Sequence, residues 1–247
     1  MGSGPGANRR DVLRLVAGAG LAPVLGGCGG GMSGILCQPI PRETAGPFPG
    51  DGSNGANALA LPGIVRGDIR SSIAGASATA EGVPLTLRLV LLDAGGDCAP
   101  LAGRAVYVWH CDREGRYSMY SGGVTGENYL RGVQESDEGG TVSFTTIFPG
   151  CYPGRMPHIH FTVYESLAAA SAPPPAAALL TSQLAFPVDA CNQVYALPGY
   201  EPSRDALAPM SFERDGVFRE GVSLQLAGMS GAADDELVAT LEVAVAS

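Results

Sequence analysis

Between Leu85 and Val245 the chain is a succession of short runs in which apolar side chains recur at every second position, the period of a strand with one buried face. Leu85-Thr86-Leu87-Arg88-Leu89-Val90-Leu91-Leu92-Asp93 sets alternate leucines on one side and stops at Ala94-Gly95-Gly96. Comparable runs are Ala105 to His110, closed by Asp112 to Gly115, then Thr141 to Phe148, stopped by Pro149-Gly150, and His158 to Tyr164. Strand-like runs return at Leu180 to Phe186, Ser223 to Ala227 and Glu236 to Val245. Turn residues separate these runs, and no long stretch carries the period of an amphipathic helix. The pattern predicts an all-β fold, an antiparallel β-sandwich with long loops, over residues 61–247. The Ala-rich stretch from Ala168 to Ala178, with Pro173-Pro174-Pro175, is expected to be a flexible insertion, because a proline run cannot sit inside a sheet.

The N-terminus follows a different pattern. Asn8-Arg9-Arg10-Asp11-Val12-Leu13-Arg14 places paired arginines before a Gly/Ala-rich apolar run that reaches Leu25. A basic segment followed by a short apolar one is the layout of an export signal, and the arginine pair resembles a twin-arginine leader. The run is too short and glycine-rich for a spanning helix. Leu25-Gly26-Gly27-Cys28 resembles a lipobox, which makes Cys28 a candidate for a lipid anchor. Residues 1–28 are therefore read as a leader and 29–60, rich in Gly, Asn, Ser and Pro, as a linker and extended arm. The expected location is exported, in the periplasm or at the cell surface.

Charge narrows the partners. The net charge is −9, and removing Arg9, Arg10, Arg14 and Asp11 with the leader leaves the remainder near −11. A surface this acidic argues against nucleic acid and against anionic lipid. The six cysteines show no spacing typical of a zinc site. In an oxidising compartment Cys37, Cys98, Cys111, Cys151 and Cys191 could close up to two disulfides, with no pairing favoured by spacing.

The chemistry-bearing residues concentrate between Val106 and Val163. Residues two apart on a strand point the same way, so His158 and His160 project together while Ile159, Phe161 and Val163 face the opposite side. Two imidazoles on one pleat make half of a metal site, and a polar strand face would explain them equally well. Tyr152 lies six residues before His158 across Pro153-Gly154, a turn able to fold its phenol over the same face. His110, beside Trp109, is expected to be a hydrogen-bonded core or rim residue, and Trp109 a core anchor. Arg131 and Asp137 are expected to make turn or sheet-edge contacts.

From about Thr44 to Phe218 the chain resembles the intradiol ring-cleavage dioxygenases, the family of protocatechuate 3,4-dioxygenase and catechol 1,2-dioxygenase. Val108-Trp109-His110-Cys111-Asp112-Arg113-Glu114-Gly115-Arg116-Tyr117-Ser118 resembles the segment bearing the family's first tyrosine ligand. Leu130-Arg131-Gly132-Val133-Gln134 resembles the lead-in to the second. Pro149-Gly150-Cys151-Tyr152-Pro153-Gly154-Arg155-Met156-Pro157-His158-Ile159-His160 resembles the block holding the second tyrosine and both histidines. Thr44-Ala45-Gly46-Pro47-Phe48 is similar to the family's N-terminal active-site arm. The resemblance implies Fe(3+) bound by Tyr117, Tyr152, His158 and His160, with Tyr117 and His158 staying in place and Tyr152 leaving when substrate chelates. It further implies that Arg155 stabilises negative charge on the bound ring, and that Gln183 is a supporting glutamine. Asp215 and Phe218 resemble family structure without an evident chemical task. Two departures bear on pocket shape: Cys151 stands where a bulky residue is common, and the link from Tyr152 to His158 is short.

The residue types suit the chemistry the resemblance implies. Two phenolates and one hydroxide neutralise a ferric ion, and hard anionic oxygen donors favour that oxidation state. The implied reaction is opening of a catechol-type ring by O2 between its hydroxyl-bearing carbons, giving a cis,cis-muconate-type diacid. The implied partners are a small catechol-type substrate and O2, with homo-oligomer formation as a further expectation. The alternative is a non-catalytic surface-anchored β-sandwich binding module, which would require one of the four ligand candidates to point away from the others. A hydrolase has no support, since neither a Gly-x-Ser-x-Gly elbow nor a His-Glu-x-x-His helix is present.

Overall fold

Four leucines of β1 (Pro84–Asp93), namely Leu85, Leu87, Leu89 and Leu91, are almost wholly excluded from solvent, and they set the position of the main core. In the computed structural model, which describes residues 37–172, 175–233 and 236–246, β1 joins β4 (Thr141–Ile147), β7 (Gly228–Gly231) and β8 (Leu237–Val245) in one sheet, in the order β4-β1-β8-β7. A second sheet has the order β3-β2-β5-β6, from β2 (Ala105–Trp109), β3 (Arg131–Glu135), β5 (His158–Tyr164) and β6 (Leu180–Ala185). Ile159, Phe161 and Val163 of β5 share the core with the β1 leucines, as alternation along β5 requires. The leader and the Cys28 anchor expected from sequence lie outside the described residues.

The strand directions correct one expectation. β1 pairs with β8 in parallel, from Leu85 opposite Leu237 to Asp93 opposite Val245, while the other strand pairs are antiparallel. The intervening chain builds the whole second sheet before returning, so no tight hairpin constrains β8 to run antiparallel. Ser223–Ala227 also differs from its expected strand. Gln225 N–H closes a turn onto Val222 O, and Leu226 makes only a single bridge to Ala185. The buried Gln225 side chain donates to Gln183 O and draws this segment in as a turn, so the strand starts later, at Gly228.

The outer face of the second sheet is covered too. Ala58 and Leu59 from the arm, and Ile64 just after it, pack with Tyr107, Trp109, Val133 and Tyr164 in a second apolar cluster. Every residue of β5 is consequently buried, including its polar positions. The stretch expected to be a flexible insertion contributes here. Ser166 caps the single-turn helix α1 (Leu167–Ala170), and Ala170 is buried in the same cluster; Pro173 and Pro174 lie outside the described residues. Two short helices follow β6, α2 (Val188–Tyr195) and α3 (Glu201–Leu207).

One disulfide joins Cys37 to Cys98, and Cys111, Cys151 and Cys191 are buried free thiols. The bridge closes 61 residues of chain. Cys37→Ser combined with Cys98→Ser is expected to lower stability by about 2–4 kcal/mol, mainly by freeing the unfolded chain. Denaturant unfolding of both proteins measures this, and coincident curves would show that the bridge does not form.

Candidate active site

β5 brings the two histidines together on the outer face of its sheet. His158 Nδ1 lies 2.6 Å from Met156 O. A carbonyl can only accept, so the proton sits on Nδ1 and Nε2 presents a lone pair. His160 stacks on Trp109, with ring centroids 4.9 Å apart and planes inclined by 4°. Its Nε2 lies 3.1 Å from that of His158, and its Nδ1 is buried without a hydrogen-bond partner.

Two turns deliver the phenols. Asp112 organises the first, accepting from the Glu114 and Arg116 amides and from the Arg116 guanidinium. The turn continues into Tyr117, whose amide donates to Ser121 Oγ. Gly115 is the point where this turn meets the second. At φ +83°, a Cβ there would come within 2.6 Å of Cys151 O. Hydroxyls from the helical segment fix the second turn. Tyr195 donates to Pro149 O, Tyr200 donates to Phe148 O, and Ser203 accepts from Cys151 N–H while donating to Arg113 O. Tyr152 emerges from this brace.

The four side chains converge. Tyr152 OH is 3.1 Å and Tyr117 OH 3.4 Å from His158 Nε2, and the two phenol oxygens are 3.5 Å apart. Tyr117, His158 and His160 are buried, whereas Tyr152 is half-buried and marks the open side. Tyr120 and Tyr129, the neighbours most easily confused with Tyr117, turn elsewhere: Tyr120 OH donates to Asn54, and Tyr129 OH to Asp112.

Burial pushes the Tyr152 phenol up to about 12 and Tyr117 well above its ordinary value. It also drives His158 down to about 3, with the Arg155 charge adding to the effect, and His160 well below the imidazole range. The imidazoles are thus unprotonated and free to coordinate. The phenols need a cation beside them to ionise. The Nε2 lone pair of His158, Nε2 of His160 beside it and two phenols form a donor set that fits a hard trivalent metal. Among the described residues no three His, Cys, Asp or Glu side chains form a metal-binding group, so a metal held here would depend on the phenols.

Arg155 borders the cluster. Its Nη1 is 3.3 Å from His158 Nε2, its Nη2 donates to Gln183 Oε1 at 2.5 Å, and its Nε lies 3.1 Å from both Asp215 oxygens. The guanidinium also sits over the Phe218 ring, 5.6 Å from its centroid. Asp215 and Phe218 thereby acquire the task that sequence reasoning missed, which is holding Arg155. Sixty residues separate Asp215 from Arg155, and no local motif links them. Arg131 also departs from expectation. It stands on the edge strand β3, yet it is wholly buried, because its guanidinium reaches under the arm to backbone carbonyls. Asp137 does cap a turn, accepting from Gly139 and Thr141 amides. His110 is the hydrogen-bonded core residue expected, between Thr146 Oγ1 and Cys111 O.

Comparison with known proteins identifies the family. A family model described as Dioxygenase matches residues 68–193, half of the chain. The protein belongs to this family and is an intradiol ring-cleavage dioxygenase. The family acts on catechol-type rings and uses non-haem iron. The intradiol ring-cleavage dioxygenase of Tetranychus urticae is 25% identical, with a TM-score of 0.66 over 85% of this chain and 95% of that one. The dioxygenase domain of a carbohydrate-binding fusion protein from Streptomyces sp. SirexAA-E is 24% identical, with a TM-score of 0.53 over 85% and 99%. Hydroxyquinol 1,2-dioxygenase of Pseudomonas putida DLL-E4 is 18% identical, with a TM-score of 0.51 over 85% and 67%. These last two attest the fold alone. No curated protein sequence matches the chain.

Proposed function

We propose that this enzyme opens a catechol-type ring with O2 between the two hydroxyl-bearing carbons, releasing a cis,cis-muconate-type diacid, and that Tyr117, Tyr152, His158 and His160 hold its iron. The supporting observation is that both phenol oxygens and His160 Nε2 lie within 3.4 Å of His158 Nε2, with the two phenol oxygens 3.5 Å apart. A ferric ion held there would supply Lewis acidity toward the catechol oxygens. Tyr152, on the open side, is placed to take a proton from an incoming catechol, the general-base role. Buried Tyr117 and His158 hold their positions, His158 through its bond to Met156 O. Arg155 offsets negative charge as it develops on the ring. We further propose that the protein acts after export, in keeping with the arginine pair and Cys28 of its N-terminal segment.

The test is an absorption spectrum of the purified protein, recorded before and after addition of catechol without oxygen. A visible tyrosinate charge-transfer band is expected, moving to longer wavelength with catechol and changing in Tyr117→Phe and Tyr152→Phe. A protein that stays colourless after reconstitution with iron would remove the ligand assignment.

A further inference from the structure

A single row of residues crosses the sheet that carries the site. Arg131 of β3 stands opposite Trp109 of β2, Trp109 opposite His160 of β5, and His160 opposite Gln183 of β6. Members of such a row face the same side. Across this row runs the segment from Thr44 to Gly50. At the β6 end, Gln183 Nε2 donates to Thr44 O at 2.9 Å. At the β3 end, Arg131 donates from Nη2 to Phe48 O at 3.0 Å and from Nη1 to Pro49 O at 2.8 Å. Midway, Gly46 at φ +69° passes so near His160 that a Cβ would lie 3.4 Å from Cε1.

The other Arg131 donors tie this segment to the Tyr117 turn. Nη2 also reaches Ser118 O at 3.0 Å, Nε reaches Ser118 Oγ at 3.1 Å, and Nη1 reaches Tyr107 OH at 3.2 Å. All five guanidinium N–H groups are therefore engaged, and among the described residues no carboxylate pairs with this cation. Phe48 completes the contact, its ring centroid 5.1 Å from that of Tyr117. Pro47 and Pro49 have no N–H, so the segment offers mainly carbonyls to its surroundings; besides Arg131, Tyr107 OH donates to Pro49 O and Asn54 to Pro47 O, while the Gly50 amide donates to Tyr120 OH.

We propose that Arg131 is a positioning residue for ring opening. Its guanidinium fixes Thr44–Pro49 as a strap over His160 and locks that strap to the Tyr117 turn, giving the substrate a preformed wall. The inference rests on the reading of Tyr117 and His160 as iron ligands. Lysine cannot replace this fork, because a single ammonium with three donors cannot reach two carbonyls of the strap and both partners on Ser118.

Hydrogen exchange read by mass spectrometry tests the proposal on iron-free protein, alongside steady-state kinetics on the iron-loaded enzyme. In Arg131→Lys, peptides covering 44–50 and 117–121 are expected to exchange at least about tenfold faster, while β1 and β8 keep wild-type protection. KM for catechol should rise about tenfold with kcat within about threefold, since the strap shapes binding and not the reacting atoms. Phe48→Ala, which leaves the Arg131 hydrogen bonds in place, should retain most of the strap's protection. Unchanged strap exchange in Arg131→Lys, equal loss across both sheets, or a Phe48→Ala strap as loose as that of Arg131→Lys would each overturn the proposal. Absence of iron binding by the wild type would instead remove the ligand assignment, and the exchange data would still decide whether Arg131 holds the strap.

Discussion

Arg155→Met is expected to lower kcat on catechol by roughly 10²–10³-fold while iron remains bound, the usual consequence of removing one preorganised charge from a developing anion. The expectation follows from how fully the guanidinium is held. Asp215 fixes its Nε, Gln183 fixes its Nη2, and Nη1 is left facing the donor cluster 3.3 Å from His158 Nε2. A cation held in this way need not reorganise as charge builds on the ring. Arg155→Lys should recover little, because an ammonium cannot keep the Asp215 and Gln183 contacts together while facing His158. The measurement is kcat and KM with iron content determined on the same samples. A kcat within about threefold of wild type at full iron occupancy would remove Arg155 from the chemistry.

Much of this site was legible because it is local. His158 and His160 share a pleat by strand period alone, and Tyr152 reaches them through a turn six residues away. The leucine alternation of β1 likewise fixes its core face before any contact is known. What escaped depends on long-range packing. β8 runs parallel to β1 because of what lies between them, a property that alternation does not encode. The polar face of β5 reads from sequence as solvent-exposed, yet the arm covers it and leaves the whole strand buried. Arg131 reads from sequence as a turn or sheet-edge residue and Asp215 as a residue without an evident chemical task, until the fold places one beneath Phe48 and Pro49 and the other against Arg155. A turn likewise replaced the expected strand at Ser223–Ala227, drawn inward by the bond from Gln225 to Gln183 O.

Asp215 should give the largest stability effect. Its carboxylate is inaccessible to solvent and gathers donors from three places: the Arg155 guanidinium, the Met156 amide at 2.6 Å, and the Val217 and Phe218 amides at 2.8 and 3.2 Å. Asp215→Ala leaves a largely buried cation without its anion and strands three amide donors. The expected cost is about 3–5 kcal/mol, which for a domain of this size lowers Tm by roughly 6–20 °C. The reverse truncation is not equivalent. In Arg155→Met the carboxylate keeps its three amides, so charge-assisted hydrogen bonds still compensate it and the loss should be smaller. Asp215→Asn preserves volume and part of the accepting capacity, and should fall between the two in stability. Its kcat should drop, because the guanidinium loses its charged tether. Thermal unfolding of the three variants under one buffer tests the ordering. If Arg155→Met proved the least stable, the guanidinium would be the structural hub and the carboxylate its accessory, reversing the roles assigned here.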